Sequence, residues 1–196
     1  MVGAGAVALM GTSTALTGVA KATTSIQIDW CWCTLCSCLF WAGNNRESTA
    51  PCPWALGYHN AGETLYQMPI NYPGSGSPSD PSSFGIQAEW SWCSACSALF
   101  WGPGVNNSHC AGTGTTHNRG GTNYGMYFGT ASTGTDAQGG WDWCSLCQEL
   151  FWGNGDNAAG CCYGNYDPSN PNAGEGIGYG PHLPGSSTDY VMHYTS

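Results

Sequence analysis

The chain has 196 residues, with three basic side chains against twelve acidic ones and a formal net charge of −9 at pH 7. A surface so poor in cations repels phosphate and releases no counterions, which argues against nucleic acid as a partner and against polybasic attachment to a membrane. Thirty glycines and eleven prolines mark frequent turns, and twelve cysteines and ten tryptophans stand out against few aliphatic residues.

In chain order, residues 2–20 are small and apolar, the first charge is Lys21, and Ala20-Lys21-Ala22 reads as an A-x-A-like cleavage site. Residues 1–22 are therefore expected to be a secretory signal peptide, making the protein secreted and extracellular. Three repeats follow, at 26–70, 87–129 and 140–196, separated by polar linkers. The first repeat carries Trp30, Trp32, Cys33, Cys36, Leu39, Phe40, Trp41, Cys52, His59, Gly62, Thr64, Tyr66 and Met68. The second keeps the order with Trp90, Trp92, Cys93, Cys96, Leu99, Phe100, Trp101, Cys110, His117, Gly120, Thr122, Tyr124 and Met126. The third has Trp141, Trp143, Cys144, Cys147, Leu150, Phe151 and Trp152, then Cys161-Cys162, and after a longer stretch His182, Gly185, Thr188, Tyr190 and Met192.

Aromatic residues and alternation predict two strands joined at each Cys-x-x-Cys turn, and Thr-x-Tyr-x-Met predicts a third. No helical stripe of useful length follows residue 22. The fold class is therefore all-β: three tandem knuckle-hairpin repeats, packed with pseudo-threefold symmetry in a β-trefoil-like arrangement. Close packing is favoured because a unit of about 45 residues buries too little apolar surface to stand alone.

Three cysteines and one histidine per repeat form a tetrahedral zinc set. The candidate ligands are Cys33, Cys36, Cys52 and His59; Cys93, Cys96, Cys110 and His117; and Cys144, Cys147, Cys161 and His182. Cys161 is chosen over Cys162 because it keeps the spacing from Cys147 that Cys110 keeps from Cys96, although the choice stays open. About three structural zinc ions follow. Disulfides compete with this reading, because an even cysteine count suits an oxidising compartment. However, three shared cysteines per repeat cannot pair within a repeat, and disulfides leave the recurring histidine unexplained. Cys31 and Cys38, outside the shared set, would face each other across the hairpin as a possible disulfide.

A closed Cys3His set leaves no coordination position for water, and no Gly-x-Ser-x-Gly signature is present, so the reading is non-catalytic. The acids read as solvated loop residues. A small secreted hydrolase, resting on Glu89 or Glu149, is the weaker alternative. Trp30 and Trp32 share a strand face, as do Trp90 and Trp92 and also Trp141 and Trp143, and Trp54 lies in a loop without a counterpart. Exposed rings at these seven positions would stack on sugars, with core packing as the competing role. Asn106-Asn107-Ser108 is a sequon marking a surface loop.

The string Trp-x-Trp-Cys-x-x-Cys-x-x-Leu-Phe-Trp followed by Cys-x6-His-x-x-Gly resembles the tandem aromatic Cys-x-x-Cys repeats of secreted, mostly uncharacterised microbial proteins, some beside carbohydrate-active modules. The resemblance spans nearly all of residues 30–192. That family tends to place Cys-Pro-Ala-Gly-Gly before the histidine, whereas this chain has Cys52-Pro53-Trp54 and Cys110-Ala111-Gly112. The expected function is binding of glycan or cell-wall polysaccharide, and the second reading is an extracellular structural protein that self-associates.

Overall fold

The computed structural model describes residues 25–43, 47–54, 57–70, 85–129, 136–153, 160–166, 179–185 and 189–194. The expected signal segment lies outside the described residues. The fold is all-β, with ten strands among the described residues: β1 (Ser25–Cys33), β2 (Leu39–Trp41), β3 (Glu47–Pro51), β4 (Tyr58–Ile70), β5 (Gly85–Cys93), β6 (Leu99–Trp101), β7 (Arg119–Phe128), β8 (Ala137–Trp143), β9 (Leu150–Trp152) and β10 (Tyr190–Tyr194). A 3-10 helix, Gly102–Asn107, follows β6.

Each repeat contributes a long strand flanked by two antiparallel neighbours: a three-residue strand after the Cys-x-x-Cys turn, and a return strand carrying the Tyr-x-Met pair. These triplets are β2-β1-β4, β6-β5-β7 and β9-β8-β10. The return strands also pair with one another: Tyr66 with Tyr194, Tyr190 with Phe128, and Tyr124 with Ile70. Single bridges link the short-strand region of each repeat to the next: Phe40 to Ala98, Phe100 to Glu149 and Phe151 to Cys38. Each repeat therefore touches both others, as closely packed small units require.

Strand periodicity divides the interior in two. On β1, Trp30 and Trp32 point into a cluster with Leu39, Tyr66, Met68 and their counterparts, whereas Cys31 and Cys33 point into a cluster of cysteines with Phe40. The aromatic cluster joins the repeats directly. Trp30 meets Tyr124 edge to face at 5.2 Å, Trp90 meets Tyr190 at 5.2 Å, and Trp141 meets Tyr66 at 5.3 Å. The tyrosine hydroxyls donate to Gln27 at 2.5 Å, to Gln87 at 2.6 Å and to Gln138, on β1, β5 and β8 respectively, in each case the long strand of a triplet other than the tyrosine's own.

Each long strand has a bulge just before its first tryptophan, where two residues oppose one on the return strand. The residue at the bend has positive φ: Asp29 at 68°, Glu89 at 70° and Gly140 at 80°.

The hairpin register corrects one expectation. Cys31 lies opposite Phe40, with Trp32 opposite Leu39. The turn runs through Ser37, whose φ of 66° carries the chain one step further before pairing begins, and Cys33 N–H bonds to Cys38 carbonyl. Cys38 is thus displaced from Cys31, and none of the twelve cysteines is in a disulfide.

Candidate metal centres

The turn after each long strand brings two cysteines together: Ser37 N–H returns to Cys33 carbonyl at 2.9 Å, with Ser97 to Cys93 and Gln148 to Cys144 the same. A third cysteine arrives from the following segment, and the histidine comes from the approach to the return strand or, at His59, from its start. The outcome is three buried groups: Cys33, Cys36, Cys52 and His59; Cys93, Cys96, Cys110 and His117; Cys144, Cys147, Cys162 and His182. Within each group the ligand atoms all lie within 4.8 Å of one another.

The spacings fit an ion. With Zn–S near 2.3 Å and Zn–N near 2.0–2.1 Å, a tetrahedron has S···S edges of about 3.8 Å and S···N edges of about 3.6 Å. The S···S separations are 3.9 Å for Cys33 and Cys52, 3.7 Å for Cys93 and Cys110, and 3.7 Å for Cys144 and Cys162. The S···N separations are 3.5 Å for Cys36 and His59, 3.5 Å for Cys96 and His117, and 3.3 Å for Cys147 and His182.

The histidine tautomers agree. Each Nε2 lies on a backbone carbonyl of another repeat: His59 on Cys96 at 2.9 Å, His117 on Cys147 at 3.0 Å, and His182 on Cys36 at 2.9 Å. A carbonyl only accepts, so Nε2 must carry the proton, leaving Nδ1 toward the sulfurs as a metal ligand requires. Phe40, Phe100 and Phe151 stack on the three rings at 4.5–4.8 Å and fix their planes.

The electrostatics point the same way. Hydrogen bonds from Cys36 and then Cys52 hold the Cys33 thiol far below its usual range, and the partners of Cys93 and Cys144 do likewise. Burial instead pushes Cys36, Cys96 and Cys147 up. For His59 and His117 burial opposes charge, yet hydrogen bonds to neighbouring thiolates outweigh it and push both up to about 10. Each cluster draws positive charge into a dry interior, and a dication bound to deprotonated ligands satisfies that demand. Three buried Cys3His sites thus fit about three structural zinc ions.

Cys162, in place of Cys161, completes the third site. Cys161 bonds through its backbone N–H to Cys36 carbonyl and turns its sulfur toward Tyr179 carbonyl, so the next residue faces Cys144. Spacing alone misleads here because the second-to-third cysteine interval already differs between the first two repeats.

Glu149 departs from the expectation that the acids are solvated loop residues. It is buried, accepts from Cys147 Sγ at 3.5 Å and lies 3.6 Å from His117 Nε2. Burial raises its carboxyl, with His117 the largest opposing influence. Enclosed in this way, it is closed to any substrate. Its place two residues after Cys147, at the start of a buried strand, was the available signal.

The tryptophans split. Trp30, Trp90 and Trp141 have no exposed surface and are core residues, so they cannot hold a ligand. Trp32, Trp92 and Trp143 are half-buried, as are Trp41, Trp101 and Trp152 at the close of each hairpin. Trp32 meets Trp152 at 5.1 Å and Trp92 meets Trp41 at 5.9 Å, both edge to face and between repeats. Trp54 is half-buried against the cysteine cluster. The motif's Gly62, Gly120 and Gly185 lie against Trp32, Trp92 and Trp143; a Cβ there would sit 3.0, 2.5 and 2.3 Å from the indole. The sequon's Ser108 hydroxyl is engaged, donating to Val105 carbonyl and accepting from His117 N–H.

No family model, curated protein or solved structure matches the chain.

Proposed function

We propose that the protein is a secreted, non-catalytic repeat protein that binds glycan or cell-wall polysaccharide on a scaffold held by three structural zinc ions. The observation that carries this reading is the recurrence of half-buried indoles, Trp32, Trp41, Trp92, Trp101, Trp143 and Trp152, of which Trp32 meets Trp152 and Trp41 meets Trp92 across repeat boundaries. Partly exposed aromatic rings beside hydroxyls and amides are what sugars need, apolar C–H faces on the one hand and hydrogen-bonding groups on the other. A depression of about 540 Å³ lined by Asn106, Asn107, Ser108, His109, Thr115 and Thr116 contains none of these indoles and offers hydrogen-bonding groups as a separate surface feature. The closed ligand sets favour a structural over a catalytic role for the metal. Secretion is supported by the composition of residues 1–22 and by the resemblance to secreted repeat proteins.

Sedimentation of the purified protein with a panel of insoluble polysaccharides, together with a glycan array, tests the reading. Retention on at least one polymer is expected, weakened several-fold in a Trp32→Ala, Trp92→Ala, Trp143→Ala triple variant. No retention on any polymer would remove it. Self-association is the second reading, favoured by Ile26 and Ile28, which are half exposed on β1. Concentration-dependent mass by light scattering, without sugar binding, would decide for it.

A further inference from the structure

The three metal sites carry three different side chains at the second residue after the second cysteine of the turn: Cys38, Ala98 and Glu149. Each is buried and bridged to a neighbouring repeat. In two of the three repeats this side chain reaches the ligand sulfur of its own turn. Glu149 Oε2 lies 3.5 Å from Cys147 Sγ, and Cys38 Sγ lies 3.2 Å from Cys36 Sγ.

Cys38 goes further, because its sulfur is also 3.7 Å from His59 Nδ1. Cys36 and His59 are themselves 3.5 Å apart. Cys36, Cys38 and His59 therefore form a triangle whose two S···N edges, 3.5 and 3.7 Å, match the separation of about 3.6 Å expected around a single ion, while its S···S edge, 3.2 Å, is shorter than the expected value of about 3.8 Å. That triangle shares the Cys36–His59 edge with the tetrahedron of Cys33, Cys36, Cys52 and His59. Cys38 thus stands beside the Cys36–His59 edge of the first site, next to the four ligand atoms that all lie within 4.8 Å of one another.

We propose that Cys38 is a further metal ligand of the first site and competes with His59 for the fourth coordination position. The proposal rests on the reading of these clusters as metal sites. In the exchange, the bond from the metal to His59 Nδ1 breaks and one to Cys38 Sγ forms, while the Cys38 thiol proton passes to Nδ1. The imidazolium so formed keeps its Nε2 hydrogen bond to Cys96 carbonyl. Thiolates select soft ions, so the first site takes a thiophilic dication such as cadmium in an all-sulfur shell. The other sites have no such option, since Ala98 offers no donor and Glu149 offers a hard oxygen.

Full-length protein loaded with ¹¹³Cd²⁺ and observed by cadmium NMR tests this, because the resonance moves downfield as nitrogen is replaced by sulfur. The wild type is expected to bind three ions and to show one resonance displaced downfield. Cys38→Ala should still bind three and should move that resonance alone upfield. Metal counting gives a second arm: His59→Ala keeps three ions, whereas His117→Ala and the Cys38→Ala, His59→Ala double variant keep two. Superimposable wild-type and Cys38→Ala spectra would overturn the proposal, as would two ions in His59→Ala. If His59→Ala does not fold, the spectral comparison decides alone. Binding of no ions at all would instead remove the metal reading itself.

Discussion

Trp30 and Trp32 point to one side of β1 while Cys31 and Cys33 point to the other, and the two sides hold together by different means. The tryptophan side is filled by large apolar rings that interlock between repeats. The cysteine side is filled by small polarizable groups set at spacings that fit a bound ion. Both sides also cross repeat boundaries, one through Trp–Tyr contacts and the other through histidine-to-carbonyl hydrogen bonds. Chemistry that disturbs one side therefore reaches the other through shared strands.

The largest effect expected is on the cysteine side. Structural zinc contributes about 10–16 kcal/mol of apparent binding energy in small domains, against a total stability of about 5–15 kcal/mol for a typical fold. Cys93→Ser, at a site without a reserve sulfur, should lower the zinc content from about three ions to two and abolish cooperative melting by circular dichroism. Chelator should have the same consequence for the wild type. Acid should follow the same route, since the thiolates must take up protons as the ion leaves, so stability falls as pH falls. A chelated protein with an unchanged melting curve would show that the aromatic side suffices. On that side, Trp90→Ala removes a fully buried indole and should cost about 3–5 kcal/mol in urea unfolding with zinc retained.

The all-β class and nearly the whole metal set were legible in the sequence, because strand alternation and ligand spacing are local properties of the chain. The ligand that was misjudged, Cys162, depends on how an inserted segment crosses the first repeat at Cys36, and no local spacing encodes that. The expected Cys31–Cys38 pairing failed for a related reason. Register in a hairpin follows the turn's backbone geometry, and the positive φ at Ser37 is invisible in a residue that ordinarily avoids it. Glu149 was misread because acids are seldom buried, and three histidines, His117, His182 and His59, are what oppose the cost of burying its carboxylate. Of the tryptophans, periodicity located the face but not the depth, so it could not separate Trp30 from Trp32.

Smaller effects distinguish close packing from open space at neighbouring glycines. A methyl group added at Gly120 would stand 2.5 Å from the Trp92 indole, whereas one at Gly121 would meet nothing within 4 Å. Gly120→Ala should therefore destabilise by about 1–3 kcal/mol through overpacking. Gly121→Ala, in the same strand, should be neutral or stabilising by up to about 1 kcal/mol. Equal costs at the two positions would show that the glycine after each histidine is needed for something other than the indole it covers.

The smallest effect concerns the bulges. Asp29, Glu89 and Gly140 occupy the same bend with φ of 68°, 70° and 80°, so the molecule already contains the comparison between side chain and no side chain. A left-handed conformation costs a residue with a Cβ about 1–2 kcal/mol, less for Asp because its short side chain bonds locally. Glycine loses more chain entropy on folding, about 0.5–1 kcal/mol, which offsets part of that gain. Glu89→Gly should consequently stabilise by about 0.5–1 kcal/mol and Asp29→Gly by less, with the Glu89 N–H bond to Asn123 kept in both. The reverse change, Gly140→Glu, should destabilise by a similar amount. Thermal melts of the three variants, run with zinc in excess so that the cysteine side stays constant, would separate this backbone term from the metal term. A destabilised Glu89→Gly would mean that the glutamate side chain holds the bulge by contacts that outweigh its backbone strain.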